Sequence, residues 1–334
     1  MVFSYILYIV ASMSKFKKLL SSIGPGIFII GYIVGTGSVT TMASSGAKYG
    51  MSMTWALALS CFSTYILIVN ISRLTILSGE TLIHLIRSKF GNLAAIAIIV
   101  SLLITVISSV IGITAIAANI FQEWTRMLFP GKEGLHPAIS AIVIIAILYY
   151  LFWYGQVAVF LRIMSVIVTL MGISFIGSMF MVIPSASDII RGMIPKIPEG
   201  TDSHLILAGL VGTTMAAVVL VSRTYLVAEQ KWTLKDLKLE NRDAIFSLVM
   251  TFLVSASILA AAAGTMYPWG IVVEKAIDMV KTLEPIAGPL ASSIFVLGII
   301  AAAFSSLFPS YLMGPWLVFD YLHIPLMCFQ RFVL

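Results

Sequence analysis

Apolar residues occur along this chain in long stretches, and short polar segments separate them. The stretches fall near residues 24–46, 51–72, 93–121, 137–154, 158–183, 205–228, 244–264 and 289–314. An α-helix needs roughly 20 mostly apolar residues to cross a bilayer, so the pattern predicts an all-α chain with about eight membrane spans. A transmembrane barrel would instead repeat segments of about ten alternating residues. No such alternation recurs here.

Two of these spans are interrupted. The first opens with Gly24, Pro25 and Gly26 and is punctuated by Gly31, Gly35 and Gly37, with Thr36 and Ser38 alongside. The sixth carries Gly209, Gly212, Thr213 and Thr214 near its middle. Gly31 and Gly35 make a small-xxx-small pair suited to close helix packing. The same residues also suit a break in the helix, because irregular backbone at membrane depth is tolerated where it lines a cavity. Interruptions in two corresponding spans favour the break, since they point to a solute site built from two repeats.

The connections read as local structure. Asn92 can start the third helix, and Ser78, Gly79, Glu80 and Thr81 form a turn into a short interfacial helix at 80–89. Pro184, Pro195, Pro198 and Gly200 make 185–204 a loop and no second domain. In 267–287, Pro268 and Pro285 bracket Glu274, Lys275, Asp278 and Lys281 at helical spacing, which predicts a surface helix.

Composition agrees with a lipid solvent. The 334 residues are 60% hydrophobic and 10% charged, with a mean hydropathy of +1.06, too little polar surface for a soluble globule. The net charge of +6 does not point to nucleic acid, because the cations are scattered among short loops with no basic stripe interleaved with aromatics. Their distribution sets orientation instead. Lys15, Lys17, Lys18, Arg73, Arg87, Lys89, Arg162, Arg223, Lys231, Lys235, Lys238, Arg242 and Arg331 share one side. Fewer lie opposite: Lys48, Arg126, Lys132, Arg191, Lys196, Lys275 and Lys281. The positive-inside rule then places both termini in the cytoplasm and the chain in the cell membrane.

Cys61 within the second span and Cys328 in the tail offer neither a disulfide framework nor a CxxC metal site. Residues 2–12 are apolar but precede the basic residues, the wrong order for a secretory signal, and translation from Met13 is a second reading. Glu229, Asp243 and Asp320 fall at or beyond span ends, where water or headgroups can solvate them. His84, His136, His204 and His323 also lie near ends or loops and form no intramembrane relay. Arg223 precedes the basic loop, so snorkelling to the interface is expected, with an inner gate to Glu229 or Asp243 as the alternative. No HExxH, paired carboxylates or Ser/His or Cys/His arrangement lies in the spans, so neither an enzyme nor a cofactor is expected.

The run Gly24-Pro25-Gly26, then Gly35-Thr36-Gly37-Ser38, then Ala47-Lys48-Tyr49-Gly50 resembles the opening of the natural resistance-associated macrophage protein (Nramp) family of metal-ion transporters. There the spacing reads GPG, DPGN and a GAQYG-like end. The likeness continues through Ser78-Gly79-Glu80-Thr81, Val211-Gly212-Thr213-Thr214 and Phe304-Ser305-Ser306. It implies a leucine-transporter-like fold of two inverted five-helix repeats, with import of divalent metals by alternating access, commonly with protons. The chain then divides into an N-terminal segment 1–23, a first repeat 24–184, a loop 185–204, a partial second repeat 205–314 and a tail 315–334. The second repeat is incomplete because helices 9 and 10 have no counterpart.

The implied substrate site comprises Gly35, Thr36, Gly37 and Ser38 from the first span and Thr213, Thr214, Met215 and Ala216 from the sixth. Ser305 and Ser306 are candidates for a coupling sodium ion, against the reading that they bond back to their own helix. The chain departs from the family where the metal would be held. The family's Asp and Asn fall at Gly35 and Ser38, its Met-Pro-His at Ala216, Ala217 and Val218, and a further His at Arg223. Met215 sits one position early, about 100° around an intact helix, and reaches the site only if the stretch unwinds.

A pocket without carboxylate or soft sulfur suits an ion that keeps its waters, such as magnesium, or a monovalent ion or small organic solute. The expected function is a secondary transporter of a metal cation, manganese- or magnesium-like, with a coupling proton or sodium ion. A non-transporting membrane scaffold or sensor is the alternative. The bilayer and the solute are the expected partners, with no nucleic acid and no soluble protein.

Overall fold

The computed structural model describes residues 25–128, 134–153, 157–182, 184–200, 202–271 and 276–322, and these are helical almost throughout. In chain order the helices are α1 (Pro25–Ile33), α2 (Thr36–Tyr49), α3 (Thr54–Ser78), α4 (Leu82–Phe90), α5 (Asn92–Leu128), α6 (Pro137–Trp153) and α7 (Val157–Met181). There follow α8 (Ala186–Gly192), α9 (Ser203–Thr214), α10 (Ala217–Gln230), α11 (Leu237–Thr265) and α12 (Ala276–Tyr321).

Local chemistry sets the ends. Gly79 closes α3 in the left-handed region, φ 73°, and its N–H returns to the Thr75 carbonyl. The Thr81 hydroxyl caps α4 by accepting from the His84 amide, and Gly91 at φ 87° turns the chain into α5. Between α10 and α11, Thr233 and Asp236 form a reciprocal capping box.

Among the described residues six segments are long and apolar enough to cross a membrane, one of them α9 and α10 taken together, and the bent pair α1–α2 makes a seventh. That is one fewer than the sequence pattern predicts. The difference is α6, whose described part is 17 residues, about 26 Å at the α-helical rise, and borders residues 154–156 outside the described ones. Within 267–287, where a surface helix is expected, residues 272–275 lie outside the described residues. Tyr267–Trp269 is a single 3₁₀ turn, and from Ala276 the chain already belongs to the 46-residue α12. That helix runs to Tyr321, beyond the predicted end at 314. Lys15, Lys17, Lys18, Lys132, Glu274, Lys275, His323, Cys328 and Arg331, and the choice between Met1 and Met13, lie outside the described residues.

Packing is densest where α11 crosses α2 and α3 and where α12 crosses α5 and α7. Ile104, Ile107 and Ile111 of α5 instead face outward, a sensible place for them only if the surroundings are lipid. Close approach explains one glycine well. A Cβ on Gly46 of α2 would strike the Leu259 carbonyl and come within 2.8 Å of the Ala262 methyl on α11. Gly46→Leu is therefore expected to lower stability by about 1–3 kcal/mol through overpacking. Gly177→Ala, with open space beside it, should raise stability by up to about 1 kcal/mol through helix propensity. Thermal unfolding of both variants in detergent checks the contrast.

Candidate functional site

The first span stops and restarts within two residues. The Val34 amide still bonds to the Ile30 carbonyl at 2.9 Å, the Val39 amide already bonds to that of Gly35 at 2.9 Å, and the two halves meet at 55°. The sixth span breaks at Met215 and Ala216, where Ala216 turns to an extended ψ of 128° before α10 begins. Neither Gly35 nor Ala216 carries a side-chain cap, so α2 and α10 both begin with amides that no side chain satisfies. The carbonyl ends of α1 and α9 face the same region with the opposite partial charge.

The breaks border one cavity of about 300 Å³. Of the residues anticipated from sequence, Gly35, Thr36, Gly37, Ser38, Thr213, Ala216 and Ser306 line it, while Thr214, Met215 and Ser305 do not. The Thr36 and Ser38 hydroxyls are buried with no hydrogen-bond partner. Ser306 donates to the Gly31 carbonyl at 3.0 Å, and a Cβ on Gly35 would collide with its oxygen. Close packing and the broken helix thus coexist at the same glycines.

Residues outside the wall are engaged elsewhere. Thr214 donates to the Leu210 carbonyl at 2.9 Å, and Ser305 bonds back to Ala302 at 3.0 Å with Met171 sulfur behind it. The chain does unwind at Met215, yet its side chain stays off the cavity. At the end of α9 the Thr64 hydroxyl of α3 reaches the Thr214 carbonyl at 3.4 Å, and Ser60 reaches at 3.5 Å the Val211 carbonyl that already accepts the Met215 amide.

Sequence reasoning missed the wall supplied by α5. Thr105, Ser109 and Gly112 line the cavity at i, i+4 and i+7, a helical stripe of polar and small residues in an apolar span that could have flagged them. Tyr32 and Ser310 complete that side. Among the described residues the wall holds no Asp, Glu or His, and no cluster of three such ligands occurs.

Away from the breaks, the halves of the two interrupted spans are tied at both ends by ion pairs. At one end Lys48 of α2 pairs with Asp202, the N-cap of α9, at 2.8 Å, with the side chains 27% and 51% exposed. At the other end two expectations fail. Arg223 does not snorkel; it is fully buried, pairs with Asp243 and Glu240 of α11, donates through Nε to the Ser72 hydroxyl at 3.0 Å and lies over the Trp232 ring. Asp243 is not solvated either: it is 2% exposed, and its second oxygen accepts the Gly26 amide at 2.9 Å. The reason is position. Both carboxylates lie within the first two turns of a helix that begins at Leu237, seven residues before the predicted start, and those turns pack against α10 and α1. Glu229 is exposed, whereas Asp320 is half-buried and accepts from Thr81 and Tyr225.

The family model for natural resistance-associated macrophage protein-like sequences matches residues 26–333. The chain belongs to the Nramp family. Among curated relatives, a divalent metal cation transporter MntH from Caldanaerobacter subterraneus subsp. tengcongensis is 26% identical over 312 residues, covering 87% of this chain and 69% of that protein. The MntH of Listeria welshimeri is 28% identical over 329 residues, covering 93% and 70%. Among solved structures, a manganese transporter mutant from Eremococcus coleocola superposes with a TM-score of 0.79 at 14% identity, covering 95% of this chain and 69% of that one. The same transporter with an aromatic bis-isothiourea compound gives 0.76 at 15% identity. The architecture of these transporters is therefore present in this chain.

Burial gives the charged cluster a large energetic stake. Arg223→Met strands two carboxylates, and breaking a buried pair in this way costs about 3–5 kcal/mol. Adding Glu240→Gln and Asp243→Asn to Arg223→Met should restore much of the loss. Chemical unfolding in micelles decides, and a single variant as stable as the parent would mean that water reaches the cluster.

Proposed function

We propose that this chain is a secondary transporter of a divalent metal cation, magnesium- or manganese-like, which binds at the breaks of the first and sixth spans and is passed by alternating access. The observation that carries the reading is the shared cavity between α1–α2 and α9–α10, with two buried hydroxyls left unpaired in its wall. Unpaired polar groups at membrane depth are costly, so they belong where a polar solute completes their bonds.

The wall also favours an ion that retains water. Six waters occupy roughly 180 Å³ at about 30 Å³ each, which fits a space of about 300 Å³. Hydroxyls and carbonyls can bond to such a shell, whereas stripping a divalent ion bare would call for the carboxylate and sulfur donors this wall lacks. The names of the curated relatives supply the divalent class. The ties at Lys48–Asp202 and Arg223–Asp243 supply two ends that can open in turn. Ser306, facing the Gly31 carbonyl, is the better candidate of the serine pair for a coupling ion. The cation distribution supports a cytoplasmic N-terminus in the cell membrane.

Proteoliposomes containing the protein should accumulate magnesium or manganese, and Gly35→Val should abolish uptake by filling the break and displacing Ser306. Background flux for both ions, beside an active relative, would remove the metal from this reading. Unimpaired uptake by Gly35→Val would remove the site.

A further inference from the structure

The cluster at the closed end of the first span holds two carboxylates against one guanidinium. Glu240 and Arg223 are fully buried and Asp243 nearly so, and Glu240 Oε2 has no hydrogen-bond partner. Asp243 is fully committed, with one oxygen to Arg223 and the other to the Gly26 amide at the start of α1. Arg223 is committed as well, through Nε to Ser72 and through its two terminal nitrogens to the carboxylates. The surplus negative charge therefore falls on Glu240.

We propose that Glu240 is a proton-binding site, and that its proton controls the docking of α1 onto Asp243. With the proton in place, Arg223 and Asp243 balance each other and Asp243 is free to cap α1. Without it, Glu240 competes for Arg223 as a second anion, a net charge is left in a water-poor interior, and the cluster must open to solvent. Docking of α1 is thus favoured at low pH and lost as pH rises.

A proton fits this site better than a metal ion. Magnesium or calcium takes six or more oxygens, whereas one free carboxylate oxygen is offered here beside a guanidinium that repels cations. The groups facing Glu240 are Arg223 from α10, Ser72 from α3 and Asp243 from α11 itself. Nearby, Tyr65 of α3 is bonded to Asn241 and Asp320 of α12 to Thr81 and Tyr225, while Arg73, Lys235, Lys238 and Arg242 are exposed.

Two measurements on the whole chain in proteoliposomes test this. In infrared difference spectra, the carbonyl stretch of a protonated carboxyl should vanish on raising the pH, be missing from Glu240→Gln and persist in Glu229→Gln. A cysteine at Ile27, with Cys61→Ala and Cys328→Ser, then reports access to α1 by maleimide labelling. Taking the ratio of labelling rates between the parent and Glu240→Gln backgrounds cancels the thiol's own ionisation. That ratio should rise by up to about tenfold per pH unit across the window in which the band disappears. An unchanged band in Glu240→Gln or a flat ratio would each overturn the proposal. If Glu240→Gln fails to fold, Glu240→Asp must keep the band with a displaced midpoint, and an unmoved band rejects the assignment.

Discussion

A polypeptide inside lipid has no water to which it can hand an amide or a carbonyl, so each interruption of a helix must find its own partners. The breaks at Val34–Gly35 and Met215–Ala216 are where this chain meets that demand. Hydroxyls of α3 and α12 take up the carbonyls of Thr214 and Gly31, and residues from both breaks line one shared cavity. The long helices α11 and α12 hold the broken spans against α3, α5 and α7, and so keep the two interruptions opposite each other.

The architecture does not depend on carboxylate or histidine side chains at the breaks, since the wall of the cavity holds none among the described residues. Helix packing uses small residues such as Gly31, Gly35 and Gly46, none of which needs a metal in order to be useful. A carboxylate at position 35 would also have met Ser306 in this arrangement, since even a Cβ there collides with its oxygen. The close seat of α12 on the first break and the neutral character of the cavity are two sides of one geometric fact.

Much of this was legible in the chain. Long apolar runs place the spans, and paired glycine-rich interruptions locate the breaks, because both signals depend on neighbours close in sequence. The charged cluster was legible only in part: pairing of Arg223 with Asp243 was the alternative to snorkelling, whereas Glu240 and the burial of all three were not foreseen. Arg223 is separated from Glu240 and Asp243 by 17 and 20 residues across a basic loop, and their burial depends on how far α11 extends before it enters the apolar stretch. Hydropathy marks the start of apolar sequence and says nothing of helical turns that precede it. Met215 illustrates the opposite limit: the unwinding is foreseeable from glycine and threonine content, but the direction of one side chain within it depends on tertiary packing.

The two ties differ in what can reach them. Lys48 and Asp202 meet in contact with water, where dissolved electrolyte weakens their attraction over a screening length of about 8 Å at physiological strength. Arg223 and its carboxylates are sealed from the bath and feel little of that weakening. One ion pair is thus graded by the ionic composition of the water around it, and the other is insulated from any change short of altering its own charge.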